Sequence, residues 1–107
     1  MKLSGQAAIV TGSARGIGKA IAVDLAKEGC NIVINSRTKR EVEATAKEIK
    51  KLGVEILPVV ADISNEKEVA RIVKETMKKF GRIDILVNNA GVAVYKDFAK
   101  MSMEEIN

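Results

Sequence analysis

Short apolar runs alternate along this chain with longer segments in which apolar residues recur every three or four positions. Residues 7–10, 31–35, 56–60 and 83–87 are continuous apolar runs, the pattern of strands covered on both faces. Over residues 64–80, Val69, Ile72, Val73, Thr76, Met77 and Phe80 fall on one stripe, with Lys67, Glu68, Arg71, Lys74, Glu75 and Lys78 outside it, which predicts an amphipathic helix. Residues 39–51 repeat the pattern with Val42, Ala46, Ile49 and Leu52. Thr38 with Glu41, and Ser102 with Glu105, have the spacing of capping boxes, in which a hydroxyl and a carboxylate satisfy each other's backbone donors at a helix start. Gly29, Gly53 and Gly81 each follow a predicted helix, where a left-handed residue closes the last turn.

The predicted order is β-α-β-α-β-α-β, followed by a loop and the first turn of another helix. Such alternation specifies an α/β fold: a parallel sheet with right-handed crossovers and helices on both faces, a three-layer α/β/α arrangement. No linker, repeat or low-complexity stretch interrupts it, so residues 1–107 read as one domain. Aromatic residues make up 3% of the chain against 47% hydrophobic overall, so the core must be aliphatic. The net charge of +4 is spread as Lys and Arg interleaved with Glu along helices, which reads as a solvated surface and not as a nucleic-acid-binding stripe. No apolar segment reaches the roughly 18 residues a membrane crossing needs. The single cysteine, Cys30, has no internal partner, and the expected setting is a reducing cytoplasm. With no histidine, this chain has no imidazole for a metal site or a catalytic triad.

Residues 11–18, TGSARGIG, join the first strand to the first helix. In a doubly wound sheet that turn faces the carboxyl ends of the strands, where ligands bind. A helix start offers unpaired N–H groups and partial positive charge, both suited to a pyrophosphate. Gly12 permits the turn, Gly16 lets the backbone approach a ligand, and Gly18 allows the helix to pack close to the strand. The G-x-x-x-G-x-G spacing is neither the common dinucleotide fingerprint nor a P-loop, and taken alone it also fits a sharp structural turn. Two further stretches land on the same sheet edge: ADI, residues 61–63, and NNAG, residues 88–91. Asp62 can accept from an adenine amino group and the Ile63 N–H can donate to a ring nitrogen; alternatively, Asp62 makes a turn contact before the following helix. Ala90 and Gly91 are small enough for a nucleotide to lie across the strand end.

Together these motifs resemble the short-chain dehydrogenase/reductase family, in its T-G-x-x-x-G-I-G subgroup, and most of all its 3-oxoacyl-[acyl-carrier-protein] reductases. Thr11, Gly12, Gly16, Ile17 and Gly18 fill the loop, Asp62 matches the family's adenine-binding aspartate, and residues 88–91 match its N-N-A-G. The resemblance implies a Rossmann-type sheet in the order 3-2-1-4 and hydride transfer between NADPH and a keto or hydroxy substrate. The expected cofactor-binding residues are Gly12, Ser13, Arg15, Gly16, Ile17, Gly18, Ser36, Arg37, Asp62, Ile63, Asn89, Ala90 and Gly91. The second strand ends INSRTKR, with no carboxylate before Glu41 to hold a free ribose. Arg37 and Arg15 instead suit a 2′-phosphate, which favours NADP over NAD.

The family's proton donor is a tyrosine followed four residues later by a lysine. Here the lysines after Tyr95 are Lys96 and Lys100, and five residues along a helix is a rotation of about 140° away. Tyr95 therefore reads as a loop aromatic, and no catalytic residue is assigned. The family's catalytic serine and tyrosine belong to later elements, so the chain corresponds to the family's amino-terminal half, expected to hold NADP without turnover. Two alternatives stand beside that: an interaction protein pairing with itself or a longer relative through its fourth-strand side, or an oxidoreductase completed by another chain.

Overall fold

The computed structural model describes residues 2–89; the Ser102–Glu105 capping box, Tyr95, Ala90 and Gly91 lie outside them. The elements follow the order β1 (Ala7–Val10), α1 (Gly16–Lys27), β2 (Asn31–Ser36), α2 (Lys39–Lys50), β3 (Ile56–Val60), α3 (Glu66–Phe80) and β4 (Ile85–Val87). All strand pairs are parallel and the sheet order is β3-β2-β1-β4, the Rossmann-type arrangement. Ile9 of β1 lies level with Val33 of β2 and Leu86 of β4.

Strand periodicity divides the core into two layers. Ala8 and Val10 of β1, with Ile32 and Ile34 of β2, pack against Ala22 and Ala26 of α1 and Val42 and Ile49 of α2. Ile9, Val33 and Val59 point the other way, onto Val69, Ile72 and Val73 of α3. Burial on both faces explains the unbroken apolar runs of β1 and β2. It does not hold for β3, where Ile56 and Val59 are buried but Pro58 and Val60 are exposed. β3 is an edge strand of the described sheet, and an edge tolerates a proline that donates no ladder hydrogen bond.

Several boundaries move from their expected places for reasons visible in side-chain chemistry. β4 begins at Ile85 and not at residue 83, because Asp84 is diverted. Its carboxylate accepts from the Ala7 N–H at 2.8 Å and from Arg82 Nε at 2.7 Å, and the Arg82 guanidinium holds that carboxyl below its ordinary value. α3 begins at Glu66, because Ser64 is bound to Asp62 and Asn65 takes the capping position, its Oδ1 accepting from the Lys67 N–H at 2.9 Å. The Thr38–Glu41 box does not form: Thr38 sits at the N-cap without a side-chain cap, and Glu41 pairs with Arg15 instead. Leu52 is 37% exposed beyond the end of α2, and Thr45 takes a buried place on that helix beside Val42 and Ile49. Gly29, Gly53 and Gly81 do have positive φ in the turns that follow α1, α2 and α3, and Gly81 is itself the left-handed C-cap of α3.

Candidate nucleotide-binding site

The loop between β1 and α1 is held from three directions. From β2, the Asn35 N–H donates to Ser13 Oγ and the Ser13 N–H donates to the Asn35 carbonyl, both at 2.8 Å; Ser13 Oγ in turn donates to Val10 O at 2.7 Å. The Asn35 amide, only 2% exposed, accepts from the Gly12 N–H at 3.3 Å and donates to the carbonyls of Val59 and Ala61 at 3.3 and 3.1 Å. One side chain thus ties the loop to β3. From β4, the Asn89 N–H donates to Thr11 Oγ1 at 3.0 Å and Asn89 Nδ2 donates to Gly12 O at 3.3 Å. From α2, Thr45 Oγ1 donates to Ala14 O at 2.7 Å. These ties fix the position of the loop backbone at the carboxyl edge of the sheet.

The three loop glycines serve different needs. Gly12 and Gly16 have φ of 58° and 62°, a left-handed conformation that strains a residue with a side chain. At Gly18 the need is space: a Cβ there would stand 2.2 Å from Gly12 O, so only glycine lets α1 start this close to the loop. Among the described residues, apart from its chain neighbours and the backbone of its own helix, no atom lies within 4 Å of where a Gly16 Cβ would stand, so its conformation and not packing demands that glycine. Arg15 occupies the N-cap of α1 without capping it through its side chain, and the first turn carries no acidic residue. The positive end of this helix dipole is therefore met by no side-chain carboxylate of its own first turn.

Beside the loop opens a cleft of about 440 Å³. Of the expected residues it gathers Gly12, Arg15, Ser36, Arg37, Asp62 and Ile63. Ser13 lies buried beneath the loop, Gly18 packs against Gly12, Asn89 braces the loop, and Ile17 stands 73% exposed on the first turn of α1. Asp62 makes the turn contact weighed above: its Oδ1 accepts from Ser64 Oγ at 2.7 Å and from the Ser64 N–H at 3.0 Å. These bonds, with a smaller contribution from the Arg37 charge, hold its carboxyl below the ordinary value. The other carboxylate oxygen takes no part in that turn. Among the described residues no cluster of three or more potential ligands could hold a metal ion.

Asn35 and Glu41, which line the cleft, and Thr45, which braces its loop, were given no place in the site from sequence. The available signals were an amide inside an apolar run and a hydroxyl on the core side of α2. For Glu41 the helix-start spacing pointed elsewhere. Its Oε1 lies 3.8 Å from Arg15 Nη1, so a second carboxylate besides Asp62 lines the cleft.

A glycine-bearing loop, a helix start without an acidic side chain and a cleft at the carboxyl ends of β1, β2 and β3 are joined by matches to known proteins. The family model for short chain dehydrogenases matches residues 6–107. The chain belongs to the short-chain dehydrogenase family. Among curated relatives, it is 44% identical over 101 residues to the 3-oxoacyl-[acyl-carrier-protein] reductase FabG of Staphylococcus epidermidis, covering 94% of this chain and 41% of that one. It is 39% identical to a hydroxynaphthalene reductase-like protein of Metarhizium majus, covering 96% and 39%. Among solved structures, L-sorbose reductase from Gluconobacter frateurii, complexed with NADPH and L-sorbose, superposes with a TM-score of 0.90 at 32% identity over 97% of this chain and 49% of that one. A metagenomic short-chain oxidoreductase in complex with NADP gives 0.79 at 40% identity, over 86% and 42%. The chain spans about two fifths of the length of the curated relatives it matches. No helix among its described residues is long and apolar enough to cross a membrane.

Proposed function

We propose that this chain holds NADP(H) for a short-chain dehydrogenase/reductase that transfers hydride between the nicotinamide and a keto or hydroxy substrate of 3-oxoacyl-thioester type. The observation that carries the reading is the convergence of Arg15 and Arg37 on one cleft with the glycine loop. In this reading the pyrophosphate lies on the loop at the start of α1, with Gly12, Ser13 and Gly16 to Gly18 shaping its seat. Asp62 and Ile63 take the adenine and Asn89 lies at the β4 end, while Ala90 and Gly91 are assigned to the cofactor by the N-N-A-G motif alone. Ser36, Arg37 and Arg15 surround a 2′-phosphate, for which forked guanidinium groups are well matched. The residues fit such a ligand: the cleft volume lies within the range of small-molecule sites, and loop conformation and helix start both suit an anion. Bound there, the dinucleotide supplies the hydride; the chain's own residues bind, orient and shield it.

We further infer that turnover requires residues this sequence does not match, since no lysine follows Tyr95 at the family spacing. A longer related chain or a second copy meeting the β4 side is the partner expected, in a cytoplasmic setting consistent with the buried free thiol of Cys30. The deciding test is titration of the purified chain with NADPH and with NADH, followed by nicotinamide fluorescence. Binding of NADPH at least about tenfold tighter, or about 1.4 kcal/mol, is the expected result. Absence of binding by either at millimolar concentration overturns the reading.

A further inference from the structure

Glu41 places a carboxylate in a cleft whose other charged walls include Arg15, Arg37 and Asp62. It lies in the first turn of α2, where the helix dipole favours a negative side chain, and its Oε1 faces Arg15 Nη1 at 3.8 Å. The Arg15 side chain is 85% exposed and that of Glu41 42%, so the pair is loose and adds little to folding. Its consequence is for what the cleft accepts. A phosphate dianion reaching for Arg15 must share that guanidinium with Glu41 and is repelled by the same carboxylate. A ribose hydroxyl suffers neither penalty, and in Glu41 it finds an acceptor for its proton.

We propose that Glu41 is a specificity-determining residue: through its pairing with Arg15 it narrows the preference for 2′-phosphorylated over unphosphorylated dinucleotide that the two arginines would set alone. The inference rests on the dinucleotide reading above. Glu41 supplies from α2 a carboxylate that the end of the second strand lacks.

The experiment is a set of NADPH and NADH dissociation constants for the wild-type chain and the variants Glu41→Gln, Arg15→Ala, Arg15→Ala with Glu41→Gln, and Arg37→Ala. Glu41→Gln keeps the side chain's length and its helix-forming tendency, and its far-ultraviolet spectrum and urea midpoint serve as the check on folding. It is expected to tighten NADPH about three- to tenfold, the size of one unit charge facing a dianion across a few ångströms of wet cleft. NADH should be unchanged or weaker, and in the Arg15→Ala background the gain should shrink. Equal effects on both nucleotides, or none, overturn the proposal. If Arg37→Ala weakens NADPH selectively while Glu41→Gln leaves the ratio alone, only the role of Glu41 falls. If neither nucleotide binds the wild type, the dinucleotide reading itself has failed and takes this one with it.

Discussion

Helices α1 and α3 both begin at the carboxyl edge of one sheet, α1 after β1 and α3 after β3, yet their first turns are furnished in opposite ways. α3 completes itself. Asn65 caps it through the Lys67 N–H, and Glu66 and Glu68 put negative charge against its dipole. α1 has an arginine at its N-cap, no side-chain cap, no acidic residue in its first turn, and glycines at its first and third positions. The same position on the same fold thus gives a self-sufficient helix in one case and an anion-ready one in the other. Position at the carboxyl edge permits a site; the residues of the first turn decide whether there is one.

The strongest way to break this contrast is Gly18→Ala. α3 accepts side chains throughout its first turn, whereas a Cβ at Gly18 would stand 2.2 Å from a backbone carbonyl that cannot swing aside. The helix must then move off the loop. The expected cost exceeds about 3 kcal/mol, read from the urea midpoint, with nucleotide binding lost even where the variant folds. An unchanged midpoint would mean that the close approach of α1 to the loop is not a constraint.

Next in size is Asn35→Ala, which removes the amide supporting the α1 loop from below. The carbonyls of Val59 and Ala61 lose a partner in a buried setting and the Gly12 N–H in a half-buried one, at an expected cost of about 2 to 3 kcal/mol. Amide exchange should rise at Gly12 and Ser13 more than in α3. Uniform loss of protection would instead make Asn35 a general core residue.

These two residues differ in how legible they were. Gly18 could be read from sequence because a close backbone approach admits one residue type, and its place in TGSARGIG marks it. Asn35 could not, because its partners come from residues 12, 59 and 61 and meet only once β2 lies between β1 and β3. The alternation of β1 through α3 was legible for the complementary reason: apolar periodicity is local, and the sheet order follows from parallel crossovers once the family is recognised. Helix starts differ from their sequence patterns where a capping residue finds another partner. Ser64 is drawn back to Asp62, leaving Asn65 to cap α3, and Glu41 answers to Arg15 and not to Thr38. Each of those choices depends on a group outside the local window.

Asn65→Ala tests the other side of the contrast at smaller scale. Removing the cap of α3 should cost about 1 kcal/mol and leave the affinity for NADPH as it was, since Asn65 is not part of the cleft wall. The two helix starts would then be separable, one a matter of stability and the other of binding. A matching fall in affinity would show them to be coupled through the turn at residues 62–65.

That turn gives the smallest and most selective test, because Asp62 serves both regions. Its carboxylate accepts two bonds from Ser64 at the approach to α3 and also lines the cleft. Its folded pKa is depressed, first by those bonds and to a lesser degree by Arg37. A depressed carboxylate contributes stability that is fully present above its unfolded pKa of about 3.9 and is lost as the pH falls through the lower, folded value. The urea midpoint of the wild type should therefore exceed that of Asp62→Asn at about pH 5, and the gap should narrow steadily as the pH falls below about 4. Other carboxylates titrate equally in both proteins and cancel in the difference. The gap between wild type and Asn65→Ala should stay constant over the same range, because a neutral amide has no proton to gain. If the Asp62 gap were also constant, the Ser64 bonds would not depend on the ionised carboxylate, and the turn would be held by its backbone alone.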